Sequence, residues 1–296
     1  MKRIVIATGL LATALIAGTL SAGLAQQQDR TGWPTELRYA AVPVENTKDA
    51  TQRYQALLDH LQKTLGIPVK FSNGADYAAV ILGMRSKQVD MADFGADSYL
   101  EAVDQGAGAE AIVVGDNIKG GLGYNSLLLV KNSSPIKSVA DAKGKTFSFV
   151  DPNSTSGYLI PLVYFNNELK IKPQEYFSRV VFAGSHESSI LAVANGRVDM
   201  GATNDQSYQQ AIDKGSIKQG DLRIVWTSKP IPNGPTALRK NLPESFKKAV
   251  QAAFLSFNDQ AGLTALGFKR FMAAQDSAFD PIRDARQLKK QLGGSN

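Results

Sequence analysis

A chain of 296 residues can hold two ordinary domains, and 43% hydrophobic with 20% charged residues excludes a disordered protein. The absence of cysteine excludes disulfides, thiolate metal sites, a cysteine nucleophile and the lipid-attachment cysteine of a bacterial lipoprotein. The formal charge of +6, two units of it from Lys2 and Arg3, is scattered without a basic-aromatic stripe, which suits attraction of small anions and argues against nucleic-acid binding.

Lys2 and Arg3, the uncharged run Ile4 to Leu20 and the small-x-small pattern Gly23-Leu24-Ala25 predict a cleavable secretory signal over residues 1–25. No later run reaches the length of a membrane span. From Leu37 the pattern alternates. A strand is expected over 37–42, then a helix over 49–65 with Tyr54, Leu57, Leu58, Leu61 and Leu65 on one face and Gly66 as its stop. Strands over 68–71, 89–94 and 111–114 and helices over 77–86 and 98–105 follow, the rhythm of an α/β domain with a largely parallel sheet.

The glycine-rich stretch 117–123 reads as a crossing, after which the rhythm restarts. Strands are expected over 124–130, 146–150, 180–183, 198–202 and 222–226, and helices over 158–169, 186–195 and 206–214. The strand over 222–226 crosses back, and helices over 243–257 and 263–272 complete the first domain. The expected domains are residues 26–117 with 228–296 as lobe 1 and 118–227 as lobe 2, with hinge crossings near 117–123 and 222–228.

An internal repeat supports two similar lobes. Asp76–Gly106 and Ser185–Gly215 align without a gap, matching Val89-Asp90-Met91 to Val198-Asp199-Met200 and Ser98-Tyr99 to Ser207-Tyr208. The alignment sets Tyr77 opposite His186, each opening a helix after a strand. In open α/β sheets ligands bind beyond the carboxyl ends of the strands, where such helices begin. His186 can equally be a structural histidine; the pairing with Tyr77 favours ligand contact.

Between the strand over 146–150 and the next helix lies Asp151-Pro152-Asn153-Ser154-Thr155-Ser156-Gly157. Three consecutive hydroxyl side chains thus sit at a helix start, whose first N–H groups lack intrahelical partners. Such a turn can hold an oxyanion. It can also be an ordinary N-cap with two bystanders. Catalytic chemistry is not expected. No Gly-x-Ser-x-Gly elbow surrounds Ser154, and the chain has neither a phosphate-cradling Gly-x-x-x-x-Gly-Lys loop nor a His/Cys metal cluster.

The run Asp151 to Gly157, with Asp76-Tyr77-Ala78-Ala79-Val80-Ile81, Gly83-Met84-Arg85, Gly123-Tyr124, His186-Glu187, Leu191 to Asn195 and Arg239 to Leu242, resembles the periplasmic phosphonate-binding proteins of ABC transporters, the PhnD-type branch. The resemblance implies an α/β, two-lobed periplasmic binding protein (type II) with a central ligand cleft and hinge. It implies a periplasmic location, a phosphorus oxyanion as ligand, an ABC transporter permease in the inner membrane as partner, and no cofactor or metal. Its implied ligand residues are Tyr77, Tyr124, Ser154, Thr155, Ser156 and His186. At the two places where binders of aminoalkylphosphonates carry carboxylates this chain has Ser207 and Gly234, with Asp205 close by as a further candidate. A buried ammonium without a carboxylate is costly. Methylphosphonate, phosphite or phosphate is therefore favoured over 2-aminoethylphosphonate. A ligand-sensing module for a membrane receptor would use the same fold.

Overall fold

In a computed structural model the described residues are 29–293. The expected secretory signal lies outside them. Among the described residues no helix is long and apolar enough to cross a membrane.

Two mixed sheets carry the molecule. A six-stranded sheet has the spatial order Phe268–Ala273, Ala109–Asn117, Thr236–Arg239, Met91–Asp93, Leu37–Ala41, Val69–Asn73. A five-stranded sheet runs Leu222–Thr227, Ser126–Lys131, Met200–Asn204, Thr146–Phe149, Arg179–Phe182. Between them Gly123–Tyr124 pairs antiparallel with Ile231–Pro232, where the two chain crossings run side by side. The expected largely parallel sheet is corrected here. Leu37–Ala41 is parallel to both its neighbours, but Thr236–Arg239 returns from the other sheet and pairs antiparallel on both sides. Ser126–Lys131 does the same in the second sheet.

Local chemistry explains most elements. Thr47–Leu65 starts where the Asn46 side chain accepts the Asp49 N–H and stops at Gly66 in the left-handed region, burying Tyr54, Leu57, Leu58, Leu61 and Leu65. The expected helix over 263–272 is instead Gln260–Leu266, ended by Gly267 at φ +84°, followed by strand Phe268–Ala273. The strand edge offered by Ala109–Asn117 takes over from helical spacing at that glycine. The segment expected as a regular helix over 158–169 begins at Thr155 and passes from π-helical to α-helical turns at Ile160–Val163 and back again. Pro161 has no N–H to offer the preceding turn, and the Gly157 carbonyl accepts the Val150 N–H instead, at 3.0 Å.

The repeat is visible in the bonding. Asp76 caps the helix Tyr77–Arg85 through the Ala79 N–H, and Ser185 caps His186–Ala194 through the Ser188 N–H. Asp90 accepts the N–H of Arg38 at 3.0 Å, and Asp199 accepts that of Thr146 at 2.8 Å. Each aspartate thus pins the start of the parallel strand beside its own.

The lobes meet. Glu187 accepts the Asn46 N–H at 3.0 Å, and Lys214 bridges Glu45 and Asp49 across one rim of the cleft. Although burial acts in the opposite direction, these two carboxylates hold the Lys214 pKa above its usual value. At the other rim Val150 and Leu159 of the second lobe join an apolar cluster with Tyr77, Phe94, Tyr99 and Ile282 of the first.

Candidate functional site

The Asp151–Gly157 run is shaped by its own side chains. Asp151 Oδ1 accepts the Asn153 N–H at 2.7 Å, and its carbonyl accepts the Ser154 N–H at 2.9 Å, folding the strand end into a tight turn. Ser154 then caps the helix by accepting the Gly157 N–H at 3.0 Å. A Cβ at Gly157 would lie 2.3 Å from Val150, so only glycine lets this helix start settle onto the strand end. Ser154, Thr155 and Ser156 are all buried beside the cleft. The cap reading is correct for Ser154, and it leaves the other two hydroxyls for separate partners.

Those partners come from both lobes. Thr155 Oγ1 accepts the backbone N–H of Asp97 at 2.8 Å, in the first turn of helix Ala96–Asp104 on the opposite lobe. That helix has Gly95 at its N-cap and no capping side chain of its own. Ser156 keeps its place through its carbonyl, which accepts the Ser126 hydroxyl at 2.6 Å, and its Oγ lies 3.4 Å from Asn204 Nδ2.

Tyr77 and Tyr124 close over this turn. Burial pushes the Tyr77 phenol well above its usual range, with the Ser154 hydroxyl beside it acting the other way. Burial pushes Tyr124 up to about 12, opposed by Ser156 and Thr155 at its hydroxyl. Both phenols are therefore neutral donors at physiological pH. His186 is 3% exposed, with Nδ1 3.2 Å from Thr203 Oγ1 and Asn204 Nδ2 3.2 Å from each ring nitrogen. Burial lowers its pKa to about 3, so it is a neutral imidazole. A neutral imidazole has one N–H, and the tautomer in which Nδ1 accepts from Thr203 leaves the Nε2 proton free to be donated to an anion.

All seven predicted residues line one cleft of about 1360 Å³. Tyr77, Tyr124, Ser154, Thr155, Ser156 and His186 form its buried floor. Asp205 stands apart. It opens helix Asp205–Asp213, and its Oδ1 is engaged by the N–H groups of Asn125 at 3.1 Å and Gln206 at 2.9 Å. Sequence reasoning missed Asn204 and the Asp97 N–H. Asn204 lies inside the aligned repeat but falls opposite Gly95, so the repeat gave no signal; its place as an Asn N-cap, accepting the Ser207 N–H at 2.7 Å, is the local signal that could have found it. A backbone N–H carries no side-chain signal. Among the described residues no group of His, Asp or Glu is placed to hold a metal ion.

The depressed His186 pKa has a stability consequence. Its contribution is complete above the ordinary value of 6.5 and is lost as pH falls towards 3, because the unfolded chain takes up a proton that the folded one refuses. Between pH 7 and pH 5 the protein should lose about 2 kcal/mol more than His186→Gln in urea unfolding. Equal losses would mean that His186 is solvated.

Two α/β lobes, joined by paired crossings and meeting around a central cleft, define the class of two-lobed periplasmic binding proteins of type II. Residues 39–279 match the family model described as ABC transporter, phosphonate, periplasmic substrate-binding protein. The chain is 33% identical to the phosphonates-binding periplasmic protein of Escherichia coli, over 93% of this chain and 81% of that one. It is 36% identical to the phosphate-import protein PhnD of Mycolicibacterium smegmatis, over 82% and 79% of the two chains. The solved structure of PhnD1 from Prochlorococcus marinus in complex with methylphosphonate superposes with a TM-score of 0.79 at 25% identity, covering 87% of this chain and 99% of that one. The chain belongs to the family of periplasmic substrate-binding proteins of phosphonate ABC transporters.

Proposed function

We propose that the protein captures methylphosphonate, phosphite or a related small phosphorus oxyanion and presents it to the permease of an ABC importer in the inner membrane. The observation that carries this reading is the convergence of the Ser154–Ser156 helix start with the neutral donors of Tyr77, Tyr124 and His186 on one buried floor. Hydroxyl, phenol and imidazole N–H groups can donate to the oxygens of a tetrahedral anion, and a helix start adds partial positive charge. Buried donors of this kind gain strength when closure removes water from the anion. Residues 26–117 with 228–296 form one moving lobe and 118–227 the other; the second hinge, expected near 222–228, falls instead after Leu222–Thr227, which is a paired strand of the second sheet, so the lobes turn about the paired crossings Gly123–Tyr124 and Ile231–Pro232. Residues 1–25 are the export signal, and the cleft is a carrier's site with no catalytic step.

Phosphate is a second reading, favoured by the likeness to the phosphate-import protein. A thermal-shift panel of methylphosphonate, phosphite, phosphate, 2-aminoethylphosphonate and sulfate separates the two. The largest stabilisation is expected from methylphosphonate or phosphite, with little from sulfate, since an anion binding only the folded cleft raises the melting temperature by mass action. Equal shifts from sulfate and the phosphorus anions would remove the phosphorus preference.

A further inference from the structure

Helix Asp280–Gly293 belongs to neither sheet and packs against elements of both lobes, touching helix Ala96–Asp104 on one side and the turns Thr155–Leu159 and Ile160–Val163 on the other. Ile282, Arg286 and Lys289 recur at helical spacing and turn one face towards the molecule. Ile282 is 1% exposed within the apolar cluster that joins the lobes. Arg286 is buried and spends its guanidinium wholly on the first lobe. It donates to the Asp97 carbonyl at 2.9 Å, to the Asp97 carboxylate, to Glu101 at 2.5 Å and to Asp104 at 3.1 Å. That residue fixes the helix as an arm of lobe 1.

Lys289, one turn further on, does something different. Its Nζ donates to Asp97 Oδ2 at 3.1 Å and to the Pro152 carbonyl at 2.6 Å, with the ammonium 5.6 Å from the centre of the Tyr158 ring. Pro152 lies in the turn that presents Ser154, Thr155 and Ser156. Asp97 supplies the N–H accepted by Thr155 Oγ1. One side chain thus grips both sides of the junction at which the two walls of the cleft meet.

We infer that Lys289 is a positioning residue for the closed cleft: it ties the Asp97 helix start to the anion-binding turn, and opening of the lobes requires its bond to Pro152 to break. The inference rests on the proposed closure over an anion. It assigns to the C-terminal helix a role in ligand retention that the cleft residues alone do not have. A contact made only in the closed state acts on the dissociation rate and leaves encounter with the open form unchanged.

The test compares Lys289→Met with Lys290→Met. The second variant also removes one charge from this helix, but among the described residues Lys290 reaches Asp104 of lobe 1, at 2.9 Å, and nothing of the second lobe. Stopped-flow kinetics with methylphosphonate should show K289M dissociating roughly tenfold faster at an unchanged association rate, and K290M as the unmodified protein. Lys289→Arg, with a donor of similar reach, should restore slow dissociation. The chain has no cysteine, so spin labels can be placed uniquely at Ser86→Cys and Asn195→Cys, exposed and equivalent positions of the two lobes. Their distance distribution should lengthen in K289M and not in K290M. Identical dissociation rates and identical distances in the two variants would overturn the assignment. Failure of the unmodified protein to bind methylphosphonate, phosphite or phosphate would instead sink the ligand reading, and the label distances would then decide the clasp by themselves.

Discussion

Thr155→Ala is expected to weaken methylphosphonate binding by about 1.5–3 kcal/mol, roughly 10- to 150-fold in Kd by calorimetry. The magnitude is that of a hydrogen bond to a charged group lost from a desolvated site. It also has a second source. The Thr155 hydroxyl accepts the Asp97 N–H from the opposite lobe at 2.8 Å while its own proton remains available to the anion. Removing it leaves the Asp97 N–H without that partner in the closed state and takes a donor from the ligand. Thr155→Ser keeps the oxygen and should retain most of the affinity. An affinity within threefold of the unmodified protein for Thr155→Ala would place the anion elsewhere in the cleft.

Gly234→Asp is expected to fail as a specificity switch. Resemblance to aminoalkylphosphonate binders makes a carboxylate at this position the obvious way to gain 2-aminoethylphosphonate. The local geometry forbids it. A Cβ at Gly234 would lie 1.7 Å from the Phe94 carbonyl oxygen and 2.8 Å from the Gly95 Cα, contacts with main chain that no rotamer can relieve. The substitution must displace Phe94-Gly95, the very segment that leads into the helix whose N–H meets Thr155. Overpacking of this kind costs about 3 kcal/mol or more in stability. Urea unfolding should show that loss, and calorimetry should show weaker binding of methylphosphonate with no gain for 2-aminoethylphosphonate. A stable variant that binds the amine would mean that the Phe94–Gly95 wall yields readily.

How much of this was legible in the sequence depends on how local the cause is. Tyr77 and His186 could be placed at matched helix starts because Asp76 and Ser185 announce those starts and the repeat sets them in register. The Ser154–Ser156 turn was legible for the same reason. The strand Phe268–Ala273 was not, since Leu263, Leu266 and Phe271 keep a spacing compatible with a helix and the strand's partner lies at Ala109–Asn117, far back in the chain. Thr236–Arg239 was hidden likewise: it is a strand because two neighbours leave a slot for it, and that insertion makes the sheet mixed. Within the irregular helix after Thr155, Pro161 frees the Gly157 carbonyl, and that the Val150 N–H takes it up is visible only in the folded chain. Of the candidate site, the seven predicted side chains could be read, and Asn204 was passed over. The main-chain donor of Asp97 and the grip of Lys289 could not, because nothing in a sequence says which backbone group of one lobe will face the other.

Gly95 and Asn204 occupy equivalent places in the repeat, yet only Asn204 finishes its helix with its own side chain. The first-turn donor behind Gly95 is a loose end that water must tie when the lobes stand apart and that Thr155 ties when they meet. The asymmetry makes shutting partly a matter of dehydration: one lobe withholds a cap that the other carries. A small part of the drive to close is thus written as an omission, in the lobe that does not hold the Ser154–Ser156 turn, and every opening event must rehydrate it.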